Sequence, residues 1–345
     1  MDTNSKYDLR EWKKKLANFE RPRISKSVWQ LVNSLGPFLI LWGLAYWSLS
    51  ISYGLTLLFA LPAAGFLVRT FIIFHDCTHY SFFANRRTNE IVGIVLGFLT
   101  FCSYEQWKNS HAAHHAGNGN LEKRGVGDVW TMTLQEYERA SKIKRFLYRT
   151  YRNPIVMFLI GPLYIFLIDY RFNRKGASKK EKLHVWLTNV TLVTILVMVG
   201  YTIGWKAFVL IELPIFYVAS LLGVWLFYVQ HQFEEGYFEN NENWNYVEAA
   251  LKGSSFYKLP KVLQWFSGNI GFHHVHHLNS RVPNYYLERA HKSDPLLQEV
   301  TTLTLWTSLK SLTFKLWDEQ SKKFVGNRAI RVYLRRNRQA HHTKM

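Results

Sequence analysis

Residues 31–68 contain no charged side chain. As one helix rising 1.5 Å per residue the run would measure about 57 Å, close to two crossings of a ~30 Å hydrocarbon layer. Its middle, residues 48–54 (SLSISYG), is small and polar. The pattern therefore predicts two membrane-crossing helices joined by a tight turn. A second uncharged pair follows at residues 183–205 and 213–233, with Gly200, Gly204 and Lys206 at its turn. Each hairpin returns the chain to the side it left. Two shorter apolar runs, 91–104 and 153–168, fall below the length of a span, and the second contains Pro162. They predict helices that lie in or re-enter the interface. If both crossed, there would be six spans, and residues 105–152 would be separated from the polar clusters they must meet. Four spans are therefore expected.

Charge then orients the hairpins. Of 43 Lys and Arg against 24 Asp and Glu, eight basic residues fall in residues 1–30, six in the loop 171–182 and eight in residues 322–345, where no acid occurs. Basic segments flanking apolar spans follow the positive-inside rule and attract anionic headgroups, and none carries a nucleic-acid recognition motif. Both termini and the long connections are expected on the cytosolic face of the cell membrane. Disorder is excluded by 24 Phe, 19 Tyr and 13 Trp. The two cysteines, Cys77 and Cys102, do not make a disulfide scaffold. The expected organisation is all-α: a basic cytosolic segment over 1–30, a transmembrane domain of two hairpins with interfacial helices over 31–277, and a cytosolic cap with a basic tail over 278–345.

Histidine carries the candidate chemistry. Nine of the 14 histidines fall in three groups: His75 and His79; His111, His114 and His115; and His273, His274, His276 and His277. The spacings H-x3-H and H-x2-H-H put imidazoles one helical turn apart, so each group is able to aim two or three rings at one place. Eight such rings exceed the four ligands of one tetrahedral ion and suit two ions of four to six coordination. Imidazole accepts Fe, Zn, Cu and Ni alike, so the ligands alone leave the element open. His231 ends the fourth span at the depth where His75 leaves the second, and is expected to join them as a ninth ligand. His274 falls between the i and i+3 positions, so it points elsewhere and is at most a candidate to support the ligands from behind. His184, His291, His341 and His342 lack the spacing. Asp76, Glu105 and Asp128 are not placed like the Glu-x-x-His pairs of carboxylate di-iron bundles.

These three boxes, set among two hydrophobic hairpins, resemble the membrane-bound fatty acid desaturase family. Segments 71–79 (FIIFHDCTH), 123–128 (KRGVGD), 223–231 (GVWLFYVQH), 253–260 (GSSFYKLP) and 268–277 (GNIGFHHVHH) are similar to its bacillar acyl-lipid branch, which acts at Δ5 of phospholipid acyl chains. The resemblance implies two Fe ions held by His75, His79, His111, His114, His115, His231, His273, His276 and His277, with no catalytic residue beyond these ligands. It implies O2 as co-substrate, a phospholipid acyl chain as substrate, and ferredoxin or flavodoxin as electron donor, since the chain carries no dinucleotide fingerprint or haem motif. Two features depart from the animal stearoyl-CoA branch. The first box is one residue shorter, and Phe227 stands where that branch has an Asn holding a water on one iron. Hydroxylases and ketolases share the boxes and remain alternatives, and a zinc-dependent membrane hydrolase is a more distant one. A metal-binding receptor or transporter is disfavoured by the uncharged spans. Lys258 and Lys261 are candidate contacts for a lipid headgroup or an acidic carrier.

Overall fold

The computed structural model describes residues 7–342, with the side chains of 337, 338 and 340–342 outside the description. The side chains of His341 and His342, and the outermost parts of both basic ends, thus lie outside it.

Four helices are long and apolar enough to cross a membrane: Ile24–Ser48, Tyr53–Thr78, Lys179–Ile203 and Trp205–His231. They are the first to fourth spans, and they match the two expected hairpins. The first hairpin turns at Leu49–Ser52, where Ser48 Oγ and Thr56 Oγ1 lie 3.0 Å apart and tie its ends together. The second turns at a single residue. Gly204 sits at φ +88°, in the left-handed region that favours glycine, while Gly200 leaves room for the Trp205 ring, which a Cβ there would meet at 2.3 Å. The third span accordingly runs through Gly200 to Ile203, close to the end of the uncharged run at 205.

The second span is the centre of the bundle. It packs against the first and fourth spans, and Ala60, Ala63, Ala64 and Leu67 join Phe38, Ala45, Ile211 and Ile215 in one buried cluster. Small residues let the backbones approach closely, which is what drives helix association when lipid is as apolar as the side chains. The third span is 17% buried against 56% for the second, so it lies at the periphery.

Neither of the two short apolar runs forms a single helix long enough to span. Arg86–Leu99 has 14 residues, about 21 Å, too short for the hydrocarbon layer. Lys142–Tyr151 and Ile155–Arg171 together reach span length but are bent by 61°. The first member carries Lys142, Lys144, Arg145 and Arg149 beside exposed Ile143, Phe146 and Leu147, the pattern of a helix lying in the interface.

On the side where the second and fourth spans end lies a helical cap. Its core draws Trp12 and Leu16 of helix Leu9–Leu16 together with Val247, Leu251, Val275, Leu287 and Leu297. Two small pairings that the hydrophobic pattern does not announce brace it: β1 (Phe256–Tyr257) runs parallel to β2 (Thr302–Leu303), and β3 (Phe314–Asp318) antiparallel to β4 (Lys323–Gly326). The basic helix Asn327–His342 packs back through Ile330, Tyr333 and Leu334 onto the cluster around Met132, Leu134, Tyr148 and Leu316.

Candidate metal centre

The first box occupies the last turn of the second span, with His79 as its C-cap. The second lies on helix Tyr104–Gly117, and the third on helix His273–Leu278. The third helix is reached through a tight turn in which Gly268 and Asn269 have φ near +60°, and Gly271 passes so close to β1 that a Cβ would meet the Tyr257 carbonyl at 2.5 Å. That close passage sets His273 beneath the end of the fourth span.

All nine expected histidines converge, in two groups. His75, His79, His111, His115 and His276 form one, and His114, His231, His273 and His277 the other; within each group the candidate ligand nitrogens lie within 4.8 Å of one another. In the first, Nε2 of His111 is 3.0 Å from that of His75 and 3.1 Å from that of His115, which is 2.9 Å from His276. In the second, Nε2 of His231 is 3.2 Å from His114 and 2.9 Å from His273, which is 3.2 Å from His277. Neighbouring imidazoles about 2.0–2.1 Å from one first-row ion of four to six coordination would stand roughly 2.8–3.4 Å apart. Nε2 of His79 is buried without a hydrogen-bond partner, as a nitrogen facing an ion would be. The residues present therefore fit two metal ions.

Burial keeps the rings neutral, the form that binds metal. Desolvation first, and neighbouring histidines second, hold His79, His111, His115, His273, His276 and His277 well below the usual imidazole range. The opposite ring nitrogens are held from behind. Nδ1 of His75 is 3.1 Å from Asp76, Nδ1 of His114 bonds Asp128, and Nδ1 of His231 is 3.0 Å from the Gly253 carbonyl. Asp76 in turn accepts from the Asn284 amide and side chain at 2.7 and 2.8 Å, and Asn284 accepts from Gln30 at 2.9 Å, which ties box, cap and first span together. Asp76 and Asp128 are thus working partners of the histidines. The sequence signal was their place beside the first box and within the 123–128 segment. Glu105 instead pairs with Lys108 at 2.7 Å and Lys180 at 3.2 Å.

The remaining histidines stand apart from the two groups. His274 Nε2 lies 3.0 Å from His291 Nδ1, and His184 lies against Tyr104. Phe227 packs on His114 and His231, with ring centroids 5.1 Å from each. Beside it a chamber of about 20 Å³, bounded also by Asp128 and Gln232, has room for about one water. Trp107 stacks on His111 at 4.3 Å.

An apolar cavity of about 570 Å³ ends on this centre. Leu67, Val68, Phe71 and Ile72 of the second span, Phe216, Gly223 and Phe227 of the fourth, and Met157 and Ile165 of the bent helix line it, and it reaches His75, His111 and His273. The volume is in the range of ligand pockets. Sequence pattern did not mark these walls, because a cavity-facing Phe and a lipid-facing Phe look alike.

A four-span helical membrane protein with two buried histidine groups at one face, opening on an apolar cavity, has the architecture of an enzyme that acts on lipid chains. The fatty acid desaturase family model matches residues 49–304, and the chain belongs to that family. The fatty acid desaturase of Bacillus subtilis (strain 168) is 54% identical over 318 residues, which cover 92% of this chain and 90% of that protein. The sn-1 oleoyl-lipid 12-desaturase of Synechocystis sp. is 25% identical over 237 residues, 66% of this chain and 64% of its own. The chloroplastic omega-6 fatty acid desaturase of Glycine max is 26% identical over 238 residues, covering 65% and 52%. The chain is thus an oxidoreductase of lipid metabolism.

Proposed function

We propose that the protein is an O2-dependent di-iron acyl-lipid desaturase that places a cis double bond at Δ5 of saturated acyl chains in phospholipids of the cell membrane. It draws electrons from ferredoxin or flavodoxin, and its histidine boxes and both termini face the cytosol. The observation that carries this reading is that one apolar cavity touches both histidine groups, at His75 and His111 on one side and His273 on the other. The Δ5 position and the phospholipid substrate rest on the resemblance of the box-flanking segments to the bacillar acyl-lipid branch.

His75, His79, His111, His115 and His276 would hold one iron, and His114, His231, His273 and His277 the second. When bound and reduced by two electrons, the irons supply with O2 the power to take one hydrogen from each of two adjacent methylenes, the oxygen leaving as water. The protein supplies position. A methylene offers no polar handle, so the cavity walls must fix which carbons lie beside the centre. Asp76, Asp128 and the Gly253 carbonyl fix ring tautomers and orientations, the usual task of partners behind metal-ligating imidazoles. Phe227, Trp107 and Phe71 keep water from the reacting carbons.

Expression in cells unable to make unsaturated fatty acids, followed by mass spectrometry of the phospholipids, tests the reading. Δ5 monoenes on intact phospholipids are expected. Hydroxy or keto acids, or double bonds only on soluble thioesters, would overturn it.

A further inference from the structure

The bent helix and the loop after it form one edge of the cavity. Ile160 and Tyr164 line it and are 55% exposed, so the cavity opens sideways at their level. Further along the same edge lie Asp169 and Arg174. Among the described residues that line the cavity, Arg174 is the only lysine or arginine. Its side chain is 32% exposed, so it faces both cavity and solvent. Its carboxylate neighbour, Asp169, stands 3.6 Å away, a loose ion pair that leaves guanidinium donors free for another anion. Lys258 and Lys261, the cations the sequence put forward, are not on this edge, and Lys261 is paired with Glu288 at 2.8 Å.

The loop that carries Arg174 is bolted to the second box. Arg171 donates to the Phe101 carbonyl and, at 3.0 Å, to Asn189, whose side chain returns a bond to the Arg171 carbonyl at 2.8 Å. Gln106 donates to the Phe172 carbonyl at 2.9 Å. Gln106 lies on the helix that bears His111, about 7.5 Å before it along the axis. A group held at Arg174 is therefore kept at a fixed distance from the centre.

We propose that Arg174 binds the phosphate of the acyl ligand and so acts as a ruler, setting the double bond at a constant count from the ester end. The inference rests on the reading of the cavity as the acyl site. Residues 171–182, which run from the end of the bent helix through the loop into the first turn of the third span, are strongly basic, as suits the level where lipid phosphates lie. A lipid entering sideways past Ile160 and Tyr164 would leave its phosphate beside Arg174. Regiochemistry would then be independent of chain length.

The test compares wild-type protein with Arg174→Ala, Arg174→Lys and Lys175→Ala, the last an exposed neighbour outside the cavity. Retention of phosphatidylglycerol, of diacylglycerol with the same chains, and of acyl-coenzyme A is measured on the purified proteins by native mass spectrometry. Bond position is measured in C16 and C18 products. Arg174→Ala is expected to lower retention of the phosphate-bearing ligand about tenfold and to leave diacylglycerol unchanged. It is also expected to spread the bond over neighbouring positions. Arg174→Lys should restore most of the retention, and Lys175→Ala should behave as wild type. Which phosphate-bearing ligand responds identifies the source of the phosphate. Equal retention in all variants, or an equal loss for diacylglycerol, would overturn the proposal. Retention that follows Arg174 while wild-type protein desaturates nothing would uphold the phosphate site and overturn the function proposed above.

Discussion

Filling the cavity at Gly223 tests whether it holds the acyl chain. Gly223 lines the cavity, and a Cβ built on it has nothing within 4 Å. Gly223→Leu therefore starts from open space at the cavity wall, and a helix gains rather than loses by exchanging Gly for Leu. A side chain of that size displaces about four methylenes of a bound chain. At ~0.8 kcal/mol per buried methylene the loss is ~3 kcal/mol, or about 200-fold in affinity. The assay is turnover of C16 and C18 lipids by the reconstituted enzyme, with metal content and thermal stability measured beside it. Activity should fall by about two orders of magnitude while metal and stability hold. Gly43→Leu, also with open space around its Cβ but outside the cavity, should leave all three unchanged. Unchanged turnover in the Gly223 variant would refute the assignment of the cavity.

His231→Gln should lower metal content and turnover together, because an amide is a poorer ligand than imidazole, and His184→Gln should alter neither; full metal occupancy with altered chain-length preference would make His231 a wall of the cavity instead. Metal-free protein should lose thermal stability as pH falls below about 6.5. The buried histidines of the second and third boxes refuse protons that the unfolded chain accepts, so stability is full above that pH and fades below it, and a melting temperature flat from pH 7 to 5 would contradict this. A cysteine at the exposed position of Arg139, in a background lacking Cys77 and Cys102, should resist an impermeant thiol reagent in intact cells and react after permeabilisation. Labelling of intact cells would place the second box outside.

The spans were legible because lipid disfavours charge, but the helices run past the charges that bound the uncharged runs: the second continues through Arg69 to Thr78, and the fourth starts at Trp205, ahead of Glu212. Their turns were less legible. Gly200 and Gly204 looked equivalent in the sequence, yet one is a helix residue that makes room for Trp205 and the other is the turn itself. The run 153–168 was legible as short of a span, but neither its joining to helix Lys142–Tyr151 nor its place at the edge of the cavity was, since Pro162 announces a break without saying what lies beside it. Arg174 shows the same limit from another direction. Within a loop of six basic residues nothing in the sequence separates the one that faces the cavity from those that face water.

The histidines were legible as a set and not as two sets. Each box had been expected to aim at one place, whereas the second and third boxes are both divided. His111 and His115 serve the first group and His114 the second; His273 and His277 serve the second group and His276 the first. Helical geometry explains the division. At about 100° per residue, positions i and i+4 diverge by only ~40°, while i+3 lies ~60° to the other side. A helix bearing H-x2-H-H thus sends a pair to one metal and a single ring to the other. Two such helices facing each other supply three rings to each group, and the pairs go to opposite groups. The first box completes the first group with His75 and His79, which leaves the second group at three imidazoles against five, with a fourth position to fill. His231, from the end of the fourth span, occupies that remaining position, so the isolated histidine of the sequence is the one the paired boxes most require.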